Sequence, residues 1–196
     1  MRLFVAIPLP AAIRDAVGRS ADAIRSEAAS VVPASAFKWV RPENYHVTLK
    51  FLGDVGESQV AHVVDACRAA AGAVPSLTLT AGPILLHPHQ GSVRLVVAEL
   101  TGDVRASVTL ATRLEEALLP LGFPRERRAF WPHVTIARTR SPLRLNVAER
   151  ARWKEMAEAS RIASAAFSVD SIELIESDLR PGGPVYTVVE TLRLET

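Results

Sequence analysis

The chain has 196 residues, 48% hydrophobic and 22% charged, which is long enough to bury a core and too apolar to stay disordered. Its 23 basic and 21 acidic residues leave a formal charge of only +2, which excludes a polyanion-binding surface spread over the whole molecule. A local run such as 125–128 (RERR) can still meet phosphates.

In chain order, 2–9 reads as a strand and 11–29 as a helix with Ile13, Val17 and Ile24 on one stripe. Pro8 and Pro10 interrupt the apolar start, and Arg14 and Asp15 follow at once, so the segment reads better as a strand followed by a helix than as a secretory leader. No run approaches the roughly 18 apolar residues of a membrane span, and the expected location is the cytoplasm. Strands follow at 37–40 and 45–52, then a helix at 58–71, opened by Glu57 and closed by Gly72. Cys67 lies in that helix; a lone cysteine cannot form an internal disulfide, and it reads as a buried thiol of a reducing compartment. Strands at 77–86 and 92–100 flank an HPHQG loop and precede a helix at 104–119, which Gly122 and Pro124 end. A strand at 133–138, a helix at 147–162 and a strand at 167–175 come next. Residues 180–184 (RPGGP) supply a turn before a last strand at 184–194. Strands and helices intermix throughout, which points to the α+β class.

One short pattern occurs twice. His46-Val47-Thr48-Leu49 returns as His133-Val134-Thr135-Ile136, each on a predicted strand, so the chain reads as two related lobes. Alternate side chains of a strand face opposite ways. His46, Thr48 and Lys50 therefore share one face, while Tyr45, Val47, Leu49 and Phe51 form an apolar one. In the second copy His133 and Thr135 oppose Pro132, Val134 and Ile136. Packed about a pseudo-two-fold axis, the polar faces would confront each other across a groove. Two imidazoles and two hydroxyls suit phosphodiester chemistry. One neutral imidazole takes a proton from water and a protonated one delivers a proton to the leaving oxygen, since histidine titrates near about 6.5. Threonine hydroxyls can donate to the non-bridging phosphoryl oxygens.

Around these residues the sequence resembles the two-histidine phosphoesterases, specifically the bacterial and archaeal RNA 2′,3′-cyclic phosphodiesterases historically called 2′-5′ RNA ligases. The likeness covers nearly the whole chain: RLFVAIPLP at the start, WVRPENYHVTLKFLGDV and FWPHVTIAR around the two motifs, and SIELIESDLRPGGPVYTVV near the end. It implies one bilobal, pseudo-two-fold α+β domain over 1–196. Each lobe would be an antiparallel sheet with helices on its outer side and a motif strand facing the central groove. It also implies hydrolysis of an RNA-terminal 2′,3′-cyclic phosphate to a 2′-phosphate without metal or other cofactor, with His46 as proton donor and His133 as proton acceptor. The implied partners are such RNA ends or small cyclic nucleotides, the expected state is a monomer, and no membrane is involved. ATP-independent 2′-5′ joining of RNA ends is the reverse reaction at the same site. A noncatalytic RNA-end or nucleotide-binding module would keep the threonines and basic residues but would not need both histidines.

Three further residues are candidates for substrate binding. Lys50 shares the parity of His46 and Thr48 and can attract phosphate. Arg138 has the parity of Val134 and Ile136, so it reaches the groove only if the strand ends or bulges first. Trp131 has the parity of His133 and can either stack a nucleobase or pack between the lobes. Trp39 and Phe51 are assigned to the core. A catalytic zinc on His46 and His133 would lack a third protein ligand, because no carboxylate lies in either motif. His87 and His89 read as solvated turn residues, and His62 as a surface or helix-packing residue.

Overall fold

A computed structural model describes residues 1–162 and 165–195. Its strands are β1 (Arg2–Pro8), β2 (Phe37–Trp39), β3 (His46–Asp54), β4 (Leu77–His87), β5 (Val93–Gly102), β6 (His133–Leu143), β7 (Ala165–Val169), β8 (Ser171–Arg180) and β9 (Gly183–Arg193). The α-helices are α1 (Ala11–Ala28), α2 (Glu57–Ala71), α3 (Val104–Leu118) and α4 (Val147–Ala159). Two antiparallel sheets result, one ordered β3-β1-β8-β9 and the other β2-β6-β5-β4-β7. The α+β class and the bilobal duplicated architecture are as the sequence implied.

Local chemistry accounts for the elements. Leu3 to Ile7 are all buried, because β1 is flanked by β3 and β8 and covered on its faces, so it reads as a continuous apolar run. Pro10 precedes α1, and its carbonyl accepts from the amides of Ile13 and Arg14. Helix α4 begins with a reciprocal cap: the Glu149 amide donates to the Asn146 side chain at 2.9 Å, and the Asn146 amide donates to the Glu149 carboxylate at 2.7 Å. The RPGGP segment makes the β8–β9 hairpin, where Gly183 takes φ +118°, a conformation that an L side chain rarely adopts. Among the described residues no helix is long and apolar enough to cross a membrane.

One expected strand divides. Residues 167–175 form the end of β7 and the start of β8, which belong to different sheets, with Asp170 between them. The break lies in the hydrophobic phase. Phe167 and Val169 are buried at odd positions, Ile172 and Leu174 at even ones, and no single strand can bury both sets on one face.

The duplication extends beyond the motif strands. β1-α1-β3-α2 and β5-α3-β6-α4 follow the same order, and in each the two strands pair. The first helix of each repeat crosses to the other lobe. α1 packs against α4 and the β4 and β7 strands, whereas α3 packs against α2 and β3. The motif strands β3 and β6 meet at the junction of the sheets.

Candidate active site

The two motif strands share an irregularity that alternation does not reveal. In β3, Thr48 lies opposite Ala6 and Lys50 opposite Val5, so Leu49 is an extra residue. In β6, Thr135 lies opposite Val97 and Ala137 opposite Val96, so Ile136 is the extra one. Each is a β-bulge at the last position of its motif, and each reverses the parity of the residues after it. The burial sequences agree: half-buried His and Thr, then two buried residues, then an exposed one.

Two side-chain placements change as a result. Lys50 leaves the groove and is only 2% exposed; its Nζ donates to Glu115 Oε2 at 2.9 Å and to the Pro124 carbonyl at 2.8 Å. Phe51, assigned to the core, is instead 56% exposed. The bulge condition on Arg138 is met: it stands at the position equivalent to Phe51, and both line a cavity of about 230 Å³ with His46, Thr135 and Tyr186. Trp39, also assigned to the core, is half-buried. It packs against Phe37 at 5.7 Å and lines the same cavity.

Both histidines are oriented by the same device. His46 Nδ1 lies 2.7 Å from the Asn44 carbonyl, and His133 Nδ1 lies 2.8 Å from the Trp131 carbonyl. A carbonyl oxygen only accepts, so each Nδ1 carries a proton and each neutral ring keeps its free lone pair on Nε2. His46 Nε2 is 3.0 Å from Thr48 Oγ1, whose hydroxyl donates to it. The His133 Nε2 has no protein partner among the described residues. Asn44 is itself tethered, its Nδ2 donating to the Pro184 carbonyl at 3.1 Å.

Rings pack around each imidazole. Phe4 lies 4.9 Å from His46, and Tyr186 meets it edge-on at 5.4 Å. Trp131 stacks on His133 at 4.7 Å, and the His87 ring lies 4.9 Å from Trp131. His87 is therefore not a solvated turn residue: it is half-buried, and its buried Nδ1 has no hydrogen-bond partner. His89 and His62 are exposed. Phe4, Tyr186 and His87 were not foreseen, because strand pairing brings them in from distant segments. The two carbonyls were detectable, since Asn44 and Trp131 each stand two residues before a motif histidine.

Burial lowers His46 below the ordinary imidazole range; its bond to Asn44 opposes this, and Arg138 and His133 add to it. Burial also lowers His133, with Trp131 opposing and His87 and Arg138 reinforcing. Both shifts favour the uncharged imidazole, and Arg138 contributes to each. An entering anion reverses the balance and favours a protonated imidazole. Cys67 is buried, which pushes its thiol up to about 12 and removes it as a nucleophile. Among the described residues no three His, Cys, Asp or Glu side chains converge as metal ligands.

Comparison with known proteins is consistent along the chain. The family model of LigT-like phosphoesterases matches residues 9–95 and 104–186. The RNA 2′,3′-cyclic phosphodiesterase of Methanothermobacter thermautotrophicus is 30% identical over 195 residues, 99% of each chain. That of Archaeoglobus fulgidus is 31% identical over 190 residues, 95% of this chain and 96% of the relative. A crystal structure from Thermus thermophilus superposes with a TM-score of 0.73 at 26% identity, covering 99% of this chain and 98% of that one. E. coli LigT complexed with 3′-AMP gives a TM-score of 0.67 at 26% identity, covering 100% and 98%.

Proposed function

Because the chain belongs to the LigT-like phosphoesterase family, we propose that it hydrolyses the 2′,3′-cyclic phosphate at an RNA end to a 2′-phosphate. The observation that carries this reading is the duplicated hydrogen bond from each Nδ1 to a carbonyl, which leaves two Nε2 atoms as the reactive positions. His133, whose Nε2 is unpartnered, takes a proton from water as its oxygen attacks phosphorus. The bond from phosphorus to the ribose 3′-oxygen breaks, and His46, protonated once the anion is bound, delivers the proton to that oxygen. Arg138 and the Thr135 hydroxyl, and the Thr48 hydroxyl once protonation of His46 Nε2 frees it, donate to the charge that gathers on the non-bridging oxygens. The relatives named RNA 2′,3′-cyclic phosphodiesterase and the 3′-AMP complex of E. coli LigT support the substrate class.

One assay tests product, metal dependence and pH together: a short RNA with a terminal 2′,3′-cyclic phosphate is incubated in EDTA across a pH series. The expected product is the 2′-phosphate, formed equally well with chelator. A 3′-phosphate product, or loss of turnover in EDTA, overturns the proposal. The pH profile has a definite sign. The active fraction needs His133 deprotonated, which gives the acidic limb, and His46 protonated, which gives the basic limb. Burial lowers both in the free protein, so the bell in kcat/KM centres below about pH 6.5. Bound phosphate raises His46, so kcat persists to higher pH than kcat/KM. In His133→Ala the residual activity loses its acidic limb.

The hydroxyls make a separate prediction. Thr48→Val or Thr135→Val lowers kcat by about 10- to 1,000-fold, as for other donors to a developing oxyanion. Neither removal alters which imidazole is base and which is acid, so each variant keeps a two-limbed profile. Full turnover in both variants would reduce the threonines to strand formers.

A further inference from the structure

The basic run 125–128 lies outside the catalytic cavity but is continuous with it. Phe51 lines the catalytic cavity on one side and, on the other, a second groove of about 650 Å³. The floor of that groove is apolar, with Leu52, Phe123 and Pro124, and its wall carries Arg125, Arg127 and Arg128 with one acidic residue, Glu126, among them. All three arginines are exposed. Arg125 makes one loose pair with Glu116 at 4.0 Å. Among the described residues, Arg127 and Arg128 have neither an ion pair nor a side-chain hydrogen bond.

The segment is anchored from below. Lys50 donates to the Pro124 carbonyl and to Glu115, and the Glu126 amide meets the Glu115 carboxylate at 3.2 and 3.3 Å. The pair between buried Lys50 and Glu115 thus holds the start of the run beside the middle of the first motif strand. Two unpaired guanidiniums next to an exposed aromatic ring suit single-stranded nucleic acid, whose bases stack on aromatic faces while its phosphates meet Arg.

We infer that the RNA strand leading to the reactive end passes over Phe51 into this groove, where Arg127 and Arg128 hold phosphates upstream of the cyclic one. The inference rests on the phosphodiesterase reading and narrows its substrate class to oligonucleotides over cyclic mononucleotides. Phe51 carries the base at the junction. Arg125 is the weaker partner, being shared with Glu116.

The test compares kcat/KM for adenosine 2′,3′-cyclic phosphate with that for a short RNA ending in the same group. Both are measured in wild type and in Arg127→Ala/Arg128→Ala. The wild type should favour the RNA. Two phosphate contacts should cost that preference roughly sevenfold between about 50 and 200 mM salt, and the double variant should show the reduced preference already at low salt. Arg127→Lys/Arg128→Lys, which keeps the charge, should retain most of it. Equal use of both substrates by the wild type at low salt overturns the inference, as does a double variant with the wild-type preference and salt dependence. If the wild type hydrolyses neither substrate, the phosphodiesterase reading falls, and fluorescence anisotropy with the same labelled RNA decides the groove separately. Weaker, less salt-dependent binding by the alanine variant then supports the groove, and unchanged binding overturns it.

Discussion

His46→Ala and His133→Ala should each lower turnover by about 100- to 10,000-fold, the range for one positioned acid or base. The double variant should lose little more than the worse single one. Both imidazoles act in one transition state, so a site lacking its base gains little from retaining its acid. Multiplicative losses would show that the rings work independently and would overturn the paired mechanism. The substitutions should leave the backbone path intact, since each ring's Nδ1 bond lies within its own strand entry. Circular dichroism of both variants should therefore match wild type.

The second large effect concerns stability. Glu115→Ala removes the carboxylate facing the Lys50 ammonium and leaves a charge that is 2% exposed with only the Pro124 carbonyl. Breaking a buried pair from one side costs about 3–5 kcal/mol, which urea unfolding would record as a lower midpoint at unchanged slope. Replacing both partners, as in Lys50→Met/Glu115→Leu, should recover much of the loss, because no unpaired charge then remains. Recovery should be incomplete, since the Glu126 amide also loses its acceptor. A Glu115→Ala protein as stable as wild type would show that the pair contributes nothing net.

Lys50 also marks how far the sequence can be read. Repetition of the motif was enough to single out His46, Thr48, His133 and Thr135 as candidates on one face of their strands, because alternate residues of a strand share a face up to the point where a bulge intervenes. The parity rule failed immediately afterwards in both copies. A bulge leaves no mark in the hydrophobic pattern when the extra residue is itself apolar, as Leu49 and Ile136 are. The rule therefore sent Lys50 to the groove and Phe51 to the core. The strand at 167–175 failed for the opposite reason: the phase change between Val169 and Ile172 was visible, but Asp170 alone is a weak breaker. The collar of Phe4 and Tyr186 around His46 was out of reach, because it depends on β1 and β9 joining one sheet.

The exchange of first helices between the repeats governs how the chain can fold during synthesis. β1 is made before both its partners and finds β3 early, yet its other edge stays open until β8 appears, after every other strand except β9. Its helix α1 has no sheet to cover until β4 and β7 exist. Neither repeat can therefore fold to completion ahead of the other. Closure depends on pairings between distant parts of the chain, which slows folding. Meanwhile the nascent protein presents an apolar strand with an unpaired edge, a template for aggregation. The exchange of helices between the two sheets thus obliges the growing chain to be shielded until β8 and β9 are made.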